Sequence, residues 1–234
     1  MNRKVIITGA SGGIGLAIAK KLYNEQDRII ACCFRHPEKL RDLPGITLFT
    51  GDLSREDEVR RLFSLAEKDF AVPDVLINAA GIADIRLFQD SDDDNLLRVM
   101  NTDLLSCIRC SKEAARLMLK KKQGTILNLS SVWGSFGASC EVEYSTAKGG
   151  IEAFTKALAK ELAPSHIRVN ALSLGAIDTA MNDMLDEEEK QALISEIPAG
   201  RMGSAEEVAD MVSLLISAPE YLTGSVIKFD GGWM

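Results

Sequence analysis

The chain has 234 residues, 46% hydrophobic and 26% charged, a length and balance suited to burying one large core in a single domain over residues 1–234. Its formal net charge of −7 excludes the clustered basic surface of a general nucleic-acid binder and disfavours docking to an acidic protein. No run reaches the roughly 20 apolar residues of a membrane helix, no secretory leader is visible, and an odd set of cysteines (Cys32, Cys33, Cys107, Cys110, Cys140) reads as reduced thiols, so a cytoplasmic location is expected.

In chain order, the apolar run Val5 to Thr8 reads as a first strand. It leads into Thr8-Gly9-Ala10-Ser11-Gly12-Gly13-Ile14-Gly15 and then a helical pattern from Leu16 to Leu22. Glycines at a strand-to-helix turn permit close backbone approach, and the N–H groups and dipole of the helix start attract a pyrophosphate. Gly9, Ser11, Gly12, Gly13, Ile14 and Gly15 are therefore candidate dinucleotide contacts, although an ordinary turn can carry the same pattern. The second strand, Arg28 to Phe34, ends where an NAD enzyme offers an acidic side chain to the ribose hydroxyls. Phe34 stands there and Arg35 follows, so a guanidinium is available to a 2′-phosphate and NADPH is preferred to NADH. Strand candidates continue at Thr47 to Thr50, before Asp52-Leu53, and at Val75 to Asn78, before Ala79-Ala80-Gly81.

Farther on, Gly124 to Leu129 reads as a strand closing in Ser130-Ser131, and a helix is predicted from about Tyr144 to Leu162. Tyr144 and Lys148 stand at i and i+4 on that helix, so they share a face, and a nearby ammonium is expected to lower the phenol's pKa toward the range of a general acid. The strand Ile167 to Leu174 is followed by Gly175-Ala176-Ile177-Asp178-Thr179, then by an acidic cluster, Asp186 to Glu189. That cluster opens a helix, roughly Glu187 to Ile197, expected to be either a substrate lid or a plain connection. Ser225 to Phe229 is the last strand candidate. Alternating strands and helices call for a doubly wound parallel sheet, an α/β Rossmann fold of about seven strands. His36 and His166 stand in unrelated contexts, so no metal is expected.

Taken together and in this order, the glycine turn, Asn78-Ala79-Ala80-Gly81, Ser131, Tyr144-Ser145-Thr146-Ala147-Lys148 and the closing Asp230-Gly231-Gly232 resemble the short-chain dehydrogenase/reductase family from the first strand to the end. The resemblance implies hydride transfer to a ketone, with Ser131 positioning the carbonyl oxygen, Tyr144 protonating it and Lys148 assisting Tyr144 and holding the nicotinamide ribose. It further implies that Asp52 and Leu53 meet the adenine, that Asn78, Ala79 and Gly81 line the cofactor, and that Ile177 and Thr179 contact the carboxamide and a phosphate. Three positions depart from the family pattern. Asp103 replaces the asparagine of a water-linked proton relay, Leu174 replaces a proline, and Gly12 stands where many NADP-using relatives have a base.

Whole-chain similarity, including Pro198 to Gly203, points to 3-oxoacyl-acyl-carrier-protein reductases, which implies a 3-oxoacyl thioester substrate. Candidate bases for docking the acidic carrier are Lys120 to Lys122 and Lys160. The loop Trp133 to Glu143 instead resembles the elongation factor P 5-aminopentanone reductases, where Glu141 or Glu143 is available to a substrate ammonium, unless both face solvent. The family resemblance implies a homotetramer, and Ile151, Phe154, Ala157 and Leu158 form a stripe suited to that contact or to the chain's own core. A non-catalytic NADPH sensor or scaffold on the same fold is the rival of a different class, against which Ser131, Tyr144 and Lys148 argue.

Overall fold

The computed structural model describes residues 2–179 and 186–234. Strands β1 (Lys4–Thr8), β2 (Arg28–Cys33), β3 (Thr47–Thr50), β4 (Val75–Asn78), β5 (Gly124–Ser131) and β6 (Ile167–Leu174) precede two short strands, β7 (Ile177–Asp178) and β8 (Gly203–Ser204), and a final β9 (Val226–Phe229). Helices are α1 (Gly13–Asn24), α2 (Glu56–Phe70), α3 (Asp93–Val99), α4 (Ser106–Met118), α5 (Val132–Phe136), α6 (Val142–Leu162), α7 (Glu187–Glu196) and α8 (Ala205–Ile216).

Seven strands form one parallel sheet in the order β3-β2-β1-β4-β5-β6-β9, the expected doubly wound arrangement. Alternating side chains divide the core. Val5 and Ile7 point to the face covered by α1 and α8, whereas Ile6, one residue between them, packs with Phe63, Met118 and Leu162 from α2, α4 and α6. Because both faces are covered, β4, β5 and β6 are buried along their whole length, which explains their continuous rather than alternating apolar character. Strand order reverses between β1 and β4, so the crevice at the carboxyl ends of these strands receives the loops that carry the motifs.

Several boundaries differ from the sequence-based expectation. The second strand stops at Cys33 rather than Phe34, which leaves the sheet and is 58% exposed. The fifth continues past Leu129 because its register with β6 holds to Ser131 opposite Leu174. The helix carrying Tyr144 starts two residues earlier, at Val142, and α7 ends at Glu196 after a capping box between Asp186 and Glu189. The β7–β8 pair and a π-helical turn at Met100–Leu105 had no periodicity to announce them.

A buried polar network ties the central strands to their helices. Asn78 Nδ2 donates to Asn128 Oδ1 (2.8 Å) and Ser111 Oγ (3.0 Å), and Asn128 Nδ2 donates to Thr155 Oγ1 (2.9 Å). Asn128→Ala leaves buried donors and acceptors without partners, and urea denaturation is expected to show a loss of about 1–3 kcal/mol.

Candidate active site

The glycine turn is built for close approach. Gly9 has φ +67°, and a Cβ there would lie 2.7 Å from the Ala79 oxygen, while a Cβ on Gly15 would overlap the Gly9 carbonyl oxygen. Gly12 is the N-cap of α1 without any side-chain hydrogen bond, so the first N–H groups of that helix face the crevice without a capping side chain. Thr179 comes against this turn, its Cγ2 3.0 Å from where a Cβ on Gly13 would stand, and Ser11 Oγ donates to the Arg35 carbonyl at 2.7 Å. The Arg35 guanidinium lies 5.5 Å from the Phe34 ring and forms no ion pair among the described residues. The turn thus has the open backbone and uncapped helix start that an anionic group requires.

Three of the residues expected at the cofactor make contacts within the chain. The Asn78 side chain is turned inward by the network above and does not line the cavity. Asp52 Oδ1 accepts from the Ser54 N–H at 3.0 Å, shaping the loop before α2, and Leu53 is buried in the core face under that helix. Ala79, Gly81, Ile14, Ile177 and Thr179 line one cavity.

Ser131, Tyr144 and Lys148 line the same cavity of about 280 Å³. Ser131 ends β5 and caps α5, accepting from the Trp133 N–H at 3.2 Å, and it shares the cavity wall with Tyr144. Gly134 lies against the backbone of Lys148 and Gly149, which seats α5 directly on α6 and brings the serine to the tyrosine. Ser130 is structural: its Oγ donates to the Lys148 carbonyl (3.2 Å) and to Glu152 Oε1 (3.3 Å). The Lys148 ammonium sits 5.3 Å from the Tyr144 ring centre and donates to the Leu129 carbonyl at 3.3 Å.

The expected lowering of the phenol's pKa is not met. Burial raises it above its ordinary value, Lys148 offsets this only in part, and Asp103 adds to the rise.

Residues 9–234 match a family model described as Enoyl-(Acyl carrier protein) reductase. The chain is 38% identical to Nodulation protein G of Rhizobium sp., over 98% of this chain and 96% of that protein. It is 36% identical to Uncharacterized oxidoreductase YmfI of Bacillus subtilis over 100% and 99% of the two chains, and 37% identical to 3-oxoacyl-[acyl-carrier-protein] reductase FabG of Pseudomonas aeruginosa over 97% and 95%. The chain belongs to the short-chain dehydrogenase/reductase family. It is an oxidoreductase acting on CH–OH or C=O groups, in a family that uses nicotinamide cofactors.

Within this family frame, the outer wall of the cavity is where sequence reading fell short. Trp133 and Trp233 meet edge to face at 4.9 Å between ring centres and both line the cavity, as do Ile85 and Leu193. Trp233 Nε1 also donates to Glu196 Oε2 at 3.3 Å, joining the last residues to α7. Leu193 brings α7 to the rim of the site. Of the two candidate glutamates, one is half-buried and the other buried. Glu141 lines the cavity, its carboxyl pushed up by burial and partly offset by a hydrogen bond from Trp133, whereas Glu143 is buried and does not line it.

Among the described residues, no cluster of His, Cys, Asp or Glu can hold a metal ion, and no helix is long and apolar enough to cross a membrane. Gly15→Ala forces the glycine turn apart, and fluorescence titration is expected to show at least about tenfold weaker binding of the reduced dinucleotide, a loss of about 1.4 kcal/mol.

Proposed function

We propose that the chain is an NADPH-dependent carbonyl reductase, and the observation that carries this reading is the convergence of Ser131, Tyr144 and Lys148 on the cavity that the glycine turn opens into. When bound, NADPH supplies the hydride. Tyr144 protonates the carbonyl oxygen as negative charge develops there, the Ser131 hydroxyl holds that oxygen in place, and Lys148 secures the nicotinamide ribose and the phenol. Arg35, which forms no ion pair among the described residues and whose carbonyl accepts from the Ser11 hydroxyl of the glycine turn, is the side chain that would receive the 2′-phosphate.

The substrate read first is a 3-oxoacyl thioester. Similarity to the 3-oxoacyl-[acyl-carrier-protein] reductase of Pseudomonas aeruginosa supports it, and so do the apolar walls formed by Ile85, Trp133, Leu193 and Trp233, which suit an acyl chain. Carrier-protein docking through the expected bases does not fit the fold. Lys120 and Lys121 pair with Glu67 and Asp74 just before Gly124, at the amino-end edge of the sheet, opposite the cavity. Lys160 lies on α6 about 24 Å along the helix from Tyr144.

A second reading is favoured by Glu141. A half-buried carboxylate in the cavity wall would be recompensed by a substrate ammonium, the feature of the 5-aminopentanone group on elongation factor P. Family resemblance also supports a homotetramer, and on α6 Ala157 is exposed and Phe154 and Leu158 half-buried, leaving an apolar face for a second copy, while Ile151 belongs to the interior.

Tyr144→Phe is expected to lower kcat by about 100- to 10,000-fold in stopped-flow NADPH oxidation while leaving NADPH affinity intact. Arg35→Ala should weaken NADPH binding about tenfold or more and leave NADH binding unchanged in parallel titrations. Acetoacetyl-CoA and elongation factor P bearing the 5-aminopentanone group, assayed side by side, separate the two substrates. Turnover of the thioester that Glu141→Gln leaves unaltered would support the first, and a preference for the modified factor that Glu141→Gln removes would support the second. Inactivity with both would revive the sensor reading.

A further inference from the structure

Asp103 is fully buried, does not line the cavity, and projects from the π-helical turn that interrupts the run from α3 to α4. Its Oδ1 accepts from the Ile82 N–H at 2.9 Å. Its Oδ2 takes no close hydrogen bond and stands 3.5 Å from Lys148 Nζ, so the ion pair is what compensates its charge. The contact exists because residue 81 is glycine: a Cβ there would lie 2.9 Å from Asp103 Oδ2 and 3.2 Å from Lys148 Nζ. An asparagine at 103 would keep the oxygen that accepts from Ile82. It would also turn an amide NH2 toward the Lys148 ammonium, adding no charge.

The charges that bear on this group come from every side. Lys148 on α6 and Arg98 on α3 favour the ionised form of Asp103, against burial. Cys107 on α4 faces Lys148, but burial pushes its thiol up to about 12, so it carries no charge near neutrality. At Tyr144, Lys148 favours the phenolate, whereas Asp103 and Glu141 oppose it. With Asp103 and Lys148 both ionised, the pair is neutral, and ionising Tyr144 creates a net negative charge in a buried space. With asparagine the same step would only neutralise the lysine.

We propose that Asp103 is a positioning residue that anchors Lys148 and offsets its charge, so that Tyr144 remains the protonated acid of ketone reduction to a higher pH than an asparagine at 103 would allow. The inference rests on the reading of Tyr144 as the acid. In reduction, hydride adds to the carbonyl carbon, the C=O π pair becomes the alkoxide lone pair, and that oxygen takes the proton from the Tyr144 hydroxyl, which is then restored from solvent. Alcohol oxidation runs the same step backward and needs the phenolate. Asp103 leaves the equilibrium unaltered and moves the pH at which each direction loses its required form.

The test is the ultraviolet titration of tyrosinate in the full chain, with the Tyr144→Phe spectrum subtracted to remove Tyr23 and Tyr221. Asp103→Asn is expected to move the Tyr144 midpoint down by about one pH unit or more, with NADPH affinity unchanged. The alkaline limb of kcat/KM for reduction should move down in step. A midpoint that stays in place or rises overturns the proposal. This titration needs no substrate, so its failure is separable from failure of the functional reading, which instead shows as a shifted midpoint in a protein that reduces no ketone. If Asp103→Asn does not fold, Asp103→Ser removes the same charge and carries the same expectation and the same overturning result.

Discussion

A buried ammonium must be compensated, and the Lys148 side chain, only 7% exposed, organises the structure around that requirement. Its compensation comes from three separate parts of the chain: the Leu129 carbonyl near the end of β5, the Asp103 carboxylate on the π-helical turn, and the Tyr144 ring one turn earlier on α6. Gly81 keeps the space between them open. A shift of any of these elements leaves a charge unpaired in the interior. The sheet, the π turn and α6 are therefore held to one relative placement by the group at the chemical centre.

The sheet supplies the frame in which this is possible. Its strands are covered on both faces, and the buried asparagines and threonine of β4, β5 and α6 lock helices to strands where apolar packing alone would allow sliding. Ser131 reaches the cavity because β5 stays paired with β6 to its last residue, and because α5 then rests on α6 at Gly134. The site is thus the carboxyl end of a rigid sheet, with the less regular pieces added around it.

Those pieces decide what enters. Trp133, Trp233 and Leu193 come from α5, the last residues of the chain and α7, and they line one cavity because the final strand returns beside β6. The hydrogen bond from Trp233 to Glu196 couples the end of the chain to α7, and Glu141 brings a carboxyl into the wall. Chemistry and selection are therefore built from different layers, the first from strand ends and α6, the second from segments that follow or precede them.

The doubly wound sheet was legible in the sequence because alternation of short apolar runs and amphipathic stretches is a local signal, and the motif order placed Gly9 to Gly15, Ser131, Tyr144 and Lys148 in one family frame. Fixed spacing on a helix was enough to put Tyr144 and Lys148 on one face. Four matters lay beyond it. The inward turn of Asn78 depends on partners at 111 and 128, and the far position of Lys120 and Lys121 on which edge of the sheet α4 ends. The cavity wall depends on Trp233, a hundred residues after Trp133. The direction of the Tyr144 shift depends on burial outweighing a neighbour that the sequence did show. Each is set by distances between residues remote along the chain, and electrostatic and desolvation energies follow those distances, so only the tertiary structure decided them.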